Sequence, residues 1–223
     1  MTDPRRRGAS PTMPLQNRVT PEGDIVAAVA RGTMMGNRGG CLHGPDKALG
    51  RRRWVSRQWI CCELEFRNRH REVMTPGRYT ELFFLDEATA LAAGHRPCFE
   101  CRRADALSFA SLWARRLGRD ERAAAGEMDA VLHGERLGPL GAKRTFRARL
   151  GDLPAGTIVR VSGSPHLLAG GGLLPWTIEG YLAPASFEPD LSVNVLTPLT
   201  IVELLRRGLR PRLHPTALSP LLI

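Results

Sequence analysis

Two cysteines separated by two residues, in the stretch GHRPCFECRR, constrain this chain more than any other feature of its sequence. Cys98 and Cys101 can share a metal ion, act as a redox dithiol or have no chemical role. Arg96, Arg102 and Arg103 are close in sequence, and their positive charge favours thiolates over thiols. The spacing suits a tight turn in which both sulfurs face one ion, so we predict a zinc site.

A structural zinc site needs four ligands, so two more must come from elsewhere in the chain. The glycine-rich loop GCLHG can curl around an ion and offers one cysteine and one histidine. We therefore predict the ligand set Cys41, His43, Cys98 and Cys101. A second possibility is Cys61 or Cys62. Neighbouring side chains of a strand face opposite sides, so only one of these two could easily reach the same ion.

Other interpretations of the cysteines stay open. The CxxC precedes a predicted helix, whose N-terminus would lower a thiol pKa, so dithiol chemistry is one alternative and an inert pair is another. His95 is too close to Cys98 in sequence to be a comfortable fourth ligand. Cys62 shares a strand face with Ile60 and is predicted to be a core residue. Cys61 remains a weak candidate for a catalytic nucleophile.

Residues 79–103, YTELFFLDEATALAAGHRPCFECRR, combine a short strand, an Asp-capped helix ending in glycine, and Arg-Pro-Cys before the second cysteine. This stretch resembles the Ada-type metal-binding domain. The resemblance implies a small zinc-stabilised module beside nucleic acid, a link to DNA repair or modification, and Cys98 and Cys101 as two of four zinc ligands. The CxxxC of the methyl-accepting members is absent, and the Cys41–His43 loop is similar to related copies that use a histidine and a cysteine.

The charge of the chain favours a polyanionic partner. Lys and Arg number 32 against 22 acidic residues, which gives a net charge of +10. We predict nucleic acid, and DNA in particular, as the partner. The predicted contacts are Arg51, Arg52, Arg53, Arg69, Arg96, Arg102 and Arg103. Only two of the basic residues are lysines, and such a skew also follows from a GC-rich genome, so a protein-interaction module is an alternative.

An enzyme acting on nucleic acid is the rival hypothesis. A methyl acceptor would use zinc or Cys61. A nuclease would draw on histidines and carboxylates, which are His43, His70, His95, Asp46 and Glu63.

The organisation of the chain predicts an α+β protein. Residues 1–20 are expected to be a disordered tail, residues 21–137 a zinc-binding α+β module, and residues 150–223 a smaller, mostly β module with a short helix. Helices are predicted after Asp86, over residues 104–117 and 121–137, and after Thr197. No apolar run approaches the ~20 residues of a membrane span, and no secretory signal is evident, so a cytoplasmic location is expected.

Overall fold

The computed structural model describes residues 13–69 and 72–218, and it shows the α+β class that the sequence predicts. Two sheets of six and five strands pack with helices that come mainly from the middle of the chain. None of the helices in these ranges is both long and apolar enough to cross a membrane.

The first sheet belongs to the N-terminal half and has the strand order β2-β1-β5-β3-β4-β6. Its strands are β1 (Gln16–Val19), β2 (Ile25–Ala27), β3 (Met34–Asn37), β4 (Ile60–Cys62), β5 (Leu82–Phe84) and β6 (Arg96–Pro97). Strand β1 lies inside the predicted disordered tail, so that prediction is wrong for its last residues. The composition of this segment is polar and does not indicate a strand, yet β1 pairs with both β2 and β5. Residues 1–12 lie outside the described ranges.

Three helices belong to the same part of the chain: α1 (Glu87–Ala92), which lies between β5 and β6, and then α2 (Arg103–Arg116) and α3 (Ala125–Arg136). Helix α1 begins at the predicted residue, because the Asp86 carboxylate accepts a hydrogen bond from the Thr89 N–H at 2.9 Å. Gly94, just beyond its end, has a φ of +88°, the left-handed conformation that glycine adopts without a Cβ penalty. These signals confirm the prediction of a short helix immediately before the cysteine motif.

The second sheet comes from the C-terminal half and is antiparallel, with the strand order β10-β9-β8-β11-β7. Its strands are β7 (Phe146–Arg149), β8 (Ile158–Val161), β9 (Ser164–Ala169), β10 (Gly172–Pro175) and β11 (Ser192–Val195). Helices α4 (Leu199–Arg206) and α5 (Pro215–Leu218) complete the fold. The N-cap of α4 is Pro198, one residue after the predicted Thr197, and the Glu135 carboxylate accepts from the Thr200 N–H at 3.0 Å.

The two halves share a hydrophobic core around α1. Leu85, Ala88 and Ala92 are buried in one cluster with residues of the second sheet and its flanks, which include Ile158 and Leu167. Helix α1 is buried along its whole length, which explains its run of alanines and leucine in place of an amphipathic pattern. The segment that leads to the cysteine motif is thus held from both sides.

Candidate metal centre

Three cysteines meet where β4 and β6 end. Cys62 is the last residue of β4, and Cys98 and Cys101 lie in the turn between β6 and α2. Their sulfur atoms lie within 4.8 Å of one another. Cys62 and Cys98 are buried, Cys101 is half-buried, and all three thiols are free. This cluster could hold a metal ion.

Parallel pairing of β4 with β6 brings Cys62 to the motif. Ile60 is opposite Arg96, Cys61 is opposite Pro97, and the Cys98 N–H donates to the Cys61 carbonyl at 2.9 Å. One residue further along each strand, Cys62 and Cys98 therefore lie side by side. The turn then enters α2, with the Arg102 N–H donating to the Cys98 carbonyl at 3.0 Å.

The three thiols hydrogen-bond to one another. Hydrogen bonds from the Cys101 and Cys62 thiols lower the pKa of Cys98, and the backbone N–H groups of Cys101 and Glu100 add to this effect. The Glu100 N–H lies 3.4 Å from the Cys98 sulfur. Hydrogen bonds with the Cys101 thiol, and then with the Cys98 thiol, raise the pKa of Cys62. One thiolate is thus stabilised by two thiols and by the turn, and a metal ion would replace the thiol protons.

The cluster opens into a cavity of about 750 Å³ that has an acidic lining. Glu63, Glu65, Glu81 and Glu100 line it, against two arginines, Arg31 and Arg69. Within residues 13–69 and 72–218, no fourth Cys, His, Asp or Glu ligand atom lies within 4.8 Å of all three sulfurs. The three cysteines therefore form an incomplete coordination shell beside a negatively charged cavity.

Cys41 and His43 are not part of this cluster. They follow β3 in a loop where the Cys41 sulfur lies 3.7 Å from His43 Nδ1. His43 is buried, and its Nδ1 lies 2.6 Å from Thr80 Oγ1, which also accepts from the Leu42 N–H at 2.7 Å. His43 and the Leu42 N–H thus hold the loop against Thr80, and the contacts of the Cys41 sulfur are with His43. The structure does not bring the predicted four-ligand set together.

Two of the predicted phosphate-binding arginines are buried in ion pairs. Arg96 forms a bidentate pair with Asp129 of α3, with N–O distances of 2.9 and 2.8 Å. The Arg102 guanidinium lies 2.8 Å from a carboxylate oxygen of Glu87 and 2.8 Å from one of Asp105. These side chains fix β6 and the start of α2, and so position the cysteine turn. They present no free guanidinium to a phosphate.

The other predicted arginines are exposed. Arg51, Arg52 and Arg53 lie together in the loop before β4, and Arg103 begins α2. Arg69 pairs with Glu100 at 2.9 Å, on the rim of the cysteine cavity.

Cys61 lies on the face of β4 opposite to Cys62 and is fully buried in the first sheet's core. Burial raises the pKa of its thiol, and the nearby Glu87 carboxylate acts in the same direction. Arg102 lies 3.5 Å from its sulfur. A buried thiol with a raised pKa is a poor nucleophile, so the geometry gives no support to Cys61 as a catalytic residue.

The sequence favours a core role for Cys62 and offers it only as a second possibility for the metal site. Only one of the two neighbours, Cys62, reaches the cluster, as strand alternation predicts. The register of β4 against β6 determines which of the two it is. That register joins segments about 36 residues apart, and no local pattern in the sequence specifies it.

Comparison of the chain with protein-family models, with curated proteins and with solved structures gave no match. The resemblance of residues 79–103 to Ada-type domains therefore stays a prediction.

Proposed function

We propose that this protein binds one zinc ion through Cys62, Cys98 and Cys101. The observation that carries the proposal is the convergence of three sulfurs within 4.8 Å. In a tetrahedral site with Zn–S bonds of about 2.3 Å, neighbouring sulfurs are about 3.8 Å apart. Small side-chain adjustments bring the three cysteines to that spacing.

The donor set favours zinc over other common metals. Thiolates are soft ligands that select zinc, copper(I) or iron–sulfur clusters, whereas magnesium and calcium prefer oxygen. Iron–sulfur clusters ordinarily use four cysteines, and the described residues bring three together. Zinc, which takes three protein ligands with an exchangeable fourth one, is the metal that we propose.

Cys62, Cys98 and Cys101 all line the acidic cavity, so a fourth ligand to a bound zinc would come from that side. A zinc ion with three protein ligands and an exchangeable fourth one acts as a Lewis acid on a bound water or substrate. Glutamates of the lining could accept a proton from that water. We propose an exchangeable ligand here, in place of the closed structural site that four protein ligands would form.

Cobalt substitution tests this proposal. Cobalt(II) bound by three thiolates in a tetrahedral site gives intense visible and near-ultraviolet absorption, and we expect about one cobalt per chain. Added imidazole should shift the visible bands as it replaces the fourth ligand. Cobalt spectra that lack thiolate bands would contradict the metal site. Thiolate bands that do not respond to imidazole would contradict the exchangeable position alone.

A second candidate function is contact with nucleic acid, in the DNA-repair or modification context that the Ada-type resemblance implies. The net charge of +10 and the exposed Arg51, Arg52 and Arg53 support it.

Salt dependence of binding to a fluorescent single-stranded oligonucleotide tests this contact. Log K falls with log salt, and each lost phosphate contact reduces the steepness of this fall by about 0.7, so the pair Arg51→Gln and Arg52→Gln should reduce it by about 1.4. The matched control is the exposed pair Arg206→Gln and Arg207→Gln at the C-terminal end of α4. Equal losses in both double variants would show a general charge effect and contradict a defined contact at Arg51 and Arg52.

A further inference from the structure

A second cavity, of about 610 Å³, shares no lining residue with the cysteine cavity and has the opposite charge. It lies between the loop before β4, the end of α3, the turn that follows α3, and β8. Two carboxylates line it, those of Glu22 and Asp24. Its cationic lining residues are Arg38, Arg51, Arg52, Arg53, Arg136, Lys143 and Arg160.

The buried cations of this cavity bond to neutral partners. Arg38 donates to the carbonyls of Gly23 at 2.8 Å and Arg53 at 3.3 Å. Arg136 donates to the carbonyls of Gly94 at 2.8 Å and Arg57 at 2.7 Å. These partners satisfy hydrogen bonds but carry no negative charge, and the nearby carboxylates of Asp24 and Asp129 compensate only part of the positive charge. Buried charge without a counter-charge is costly, so the cavity favours an anion.

The ionisation of the cations shows the same imbalance. Burial, and then repulsion from Arg136, lower the pKa of Arg38 to about 9. Burial lowers the pKa of Arg136 to about 9 and that of Lys143 to about 7. The carboxylates of Asp24 and Glu22 offset part of this, but Glu22 also pairs with Arg160 at 3.3 Å. An anion in the cavity would raise these pKa values.

One donor in the lining has no partner. The Nε atom of Arg136 is buried without a hydrogen bond in the described part of the chain, although the residue is only 1% exposed. The absence of a Cβ at Gly94 leaves room for this side chain, because an added Cβ would lie 2.5 Å from Arg136 Cδ, and the hydrogen bonds to the Gly94 and Arg57 carbonyls fix its position. A fixed, buried and unpaired N–H is a donor for a ligand oxygen.

Tryptophans give the cavity an aromatic wall. The guanidinium carbons of Arg38 and Arg136 lie 3.9 and 4.0 Å from the centroid of the buried Trp59 ring. Trp54 is half-buried, lies 6.2 Å from Trp59 between ring centroids, and also lines the cavity. A ligand that combines an anionic group with a planar aromatic group fits both features.

We infer that this cavity binds the phosphate monoester of a nucleotide, with the phosphate at Arg38, Arg136 and Lys143 and the base against Trp54. The volume lies within the range of about 300–1,000 Å³ usual for small-ligand sites. The nucleotide is either free or the 5′-phosphorylated end of a strand. Only the second source rests on the proposed contact with nucleic acid, and neither depends on the zinc site.

Calorimetric titration with deoxyadenosine 5′-monophosphate, deoxyadenosine and inorganic phosphate tests the inference. The monophosphate should bind at least about tenfold more tightly than the nucleoside, because the nucleoside lacks the charge-assisted hydrogen bonds to phosphate. Inorganic phosphate should compete with it. Equal binding of nucleoside and nucleotide would overturn the inference.

Two lysine variants provide a matched comparison, since Lys47 and Lys143 are the only lysines in the chain. Lys143→Met should weaken binding of the monophosphate by about tenfold, whereas Lys47→Met, outside the cavity, should change it less than about twofold. Trp54→Leu should weaken binding of the monophosphate but not of inorganic phosphate. Similar losses in the two lysine variants would overturn the inference. Zinc content of each variant, which should be unchanged, separates this result from a failure of the metal site.

Single-stranded oligonucleotides with a 5′-phosphate or a 5′-hydroxyl identify the source of the ligand. Tighter binding of the phosphorylated strand, lost in Lys143→Met, supports a strand end as the ligand. Binding of the free monophosphate without a preference for the phosphorylated strand supports a free nucleotide. If neither phosphorylated probe binds, the inference is overturned even where general nucleic-acid binding persists through the exposed arginines.

Discussion

The adjacent residues Cys61 and Cys62 lie in different environments. Cys61 and Cys62 differ by one position in a three-residue strand, yet Cys61 is sealed in the sheet core and Cys62 meets Cys98 and Cys101. Their thiol pKa values are both raised, but the causes differ: burial for Cys61, and hydrogen bonds to two other thiols for Cys62. The side-chain alternation of a strand produces this separation.

Lys143 gives a prediction at the same scale. Its pKa falls from the ordinary 10.5 to about 7, chiefly by burial, while Arg38, Arg136 and Arg160 repel it and Glu22 opposes the shift. Between these two values the unfolded chain binds more protons than the folded one, so stability rises with pH. In urea unfolding, the free energy of unfolding of the wild type should rise between about pH 7 and about pH 9. This rise should exceed that of Lys143→Met by about 1 kcal/mol or more.

Lys47→Met serves as the control for that experiment, and it should keep the pH dependence of the wild type. A Lys143→Met variant with the same dependence as the wild type would contradict the depressed pKa.

The N-cap residue of helix α1, Asp86, makes hydrogen bonds beyond those of helix capping. The buried Asp86 carboxylate accepts from the Thr89 N–H and hydroxyl, from the Tyr181 hydroxyl at 3.0 Å and from the His214 N–H at 3.1 Å. One side chain therefore joins the helix before the cysteine turn to the C-terminal half of the chain.

Asp86→Ala should lower the free energy of unfolding by about 3 kcal/mol, more than the ~1 kcal/mol of an ordinary cap, because the buried Tyr181 hydroxyl loses its acceptor. Chemical denaturation measures the change, with the exposed Asp120→Ala as the control. A loss for Asp86→Ala no larger than that of an ordinary cap would show that the contacts to Tyr181 and His214 contribute little.

Local signals predict the helices better than the strands. Asp86 and Gly94 mark α1 because capping is a property of adjacent residues, and α2 and α3 lie within one to four residues of their predicted bounds. By contrast, β1 and β7 fall in stretches whose composition is typical of a tail and a linker. They are strands because of partners elsewhere in the chain, which composition does not reveal.

The candidate site also combines a part that local sequence predicts with a part that depends on distant segments. The CxxC turn is local and was recognised from Cys98 and Cys101. The third cysteine depends on a parallel pairing between β4 and β6, so the sequence alone favours the glycine-rich loop with Cys41 and His43 instead. The buried roles of Arg96 and Arg102 likewise depend on carboxylates that only the fold brings to them.

At the scale of the whole molecule, the two sheets are joined through the core around α1. A chain ending at residue 137 would leave Leu85, Ala88 and Ala92 without the second sheet. We expect that fragment to lack a cooperative thermal transition, whereas the full chain should unfold in one transition. Calorimetry of both compares them. A fragment that unfolds cooperatively would show that the first half folds without the shared core.

The molecule also carries two cavities of opposite charge. An acidic cavity adjoins the three cysteines, and a basic one is lined by arginines and Trp54. The acidic lining suits a cation, and the basic lining suits a phosphate. The net charge of +10 therefore does not describe the local charge of either cavity.

The most direct test of the central proposal is the zinc content of the purified protein, measured by mass spectrometry in the wild type, Cys62→Ser and Cys41→Ser. Three-cysteine coordination predicts about one zinc per chain in the wild type and in Cys41→Ser, and less than about 0.2 in Cys62→Ser. Zinc that is retained in Cys62→Ser and lost in Cys41→Ser would contradict the proposed site.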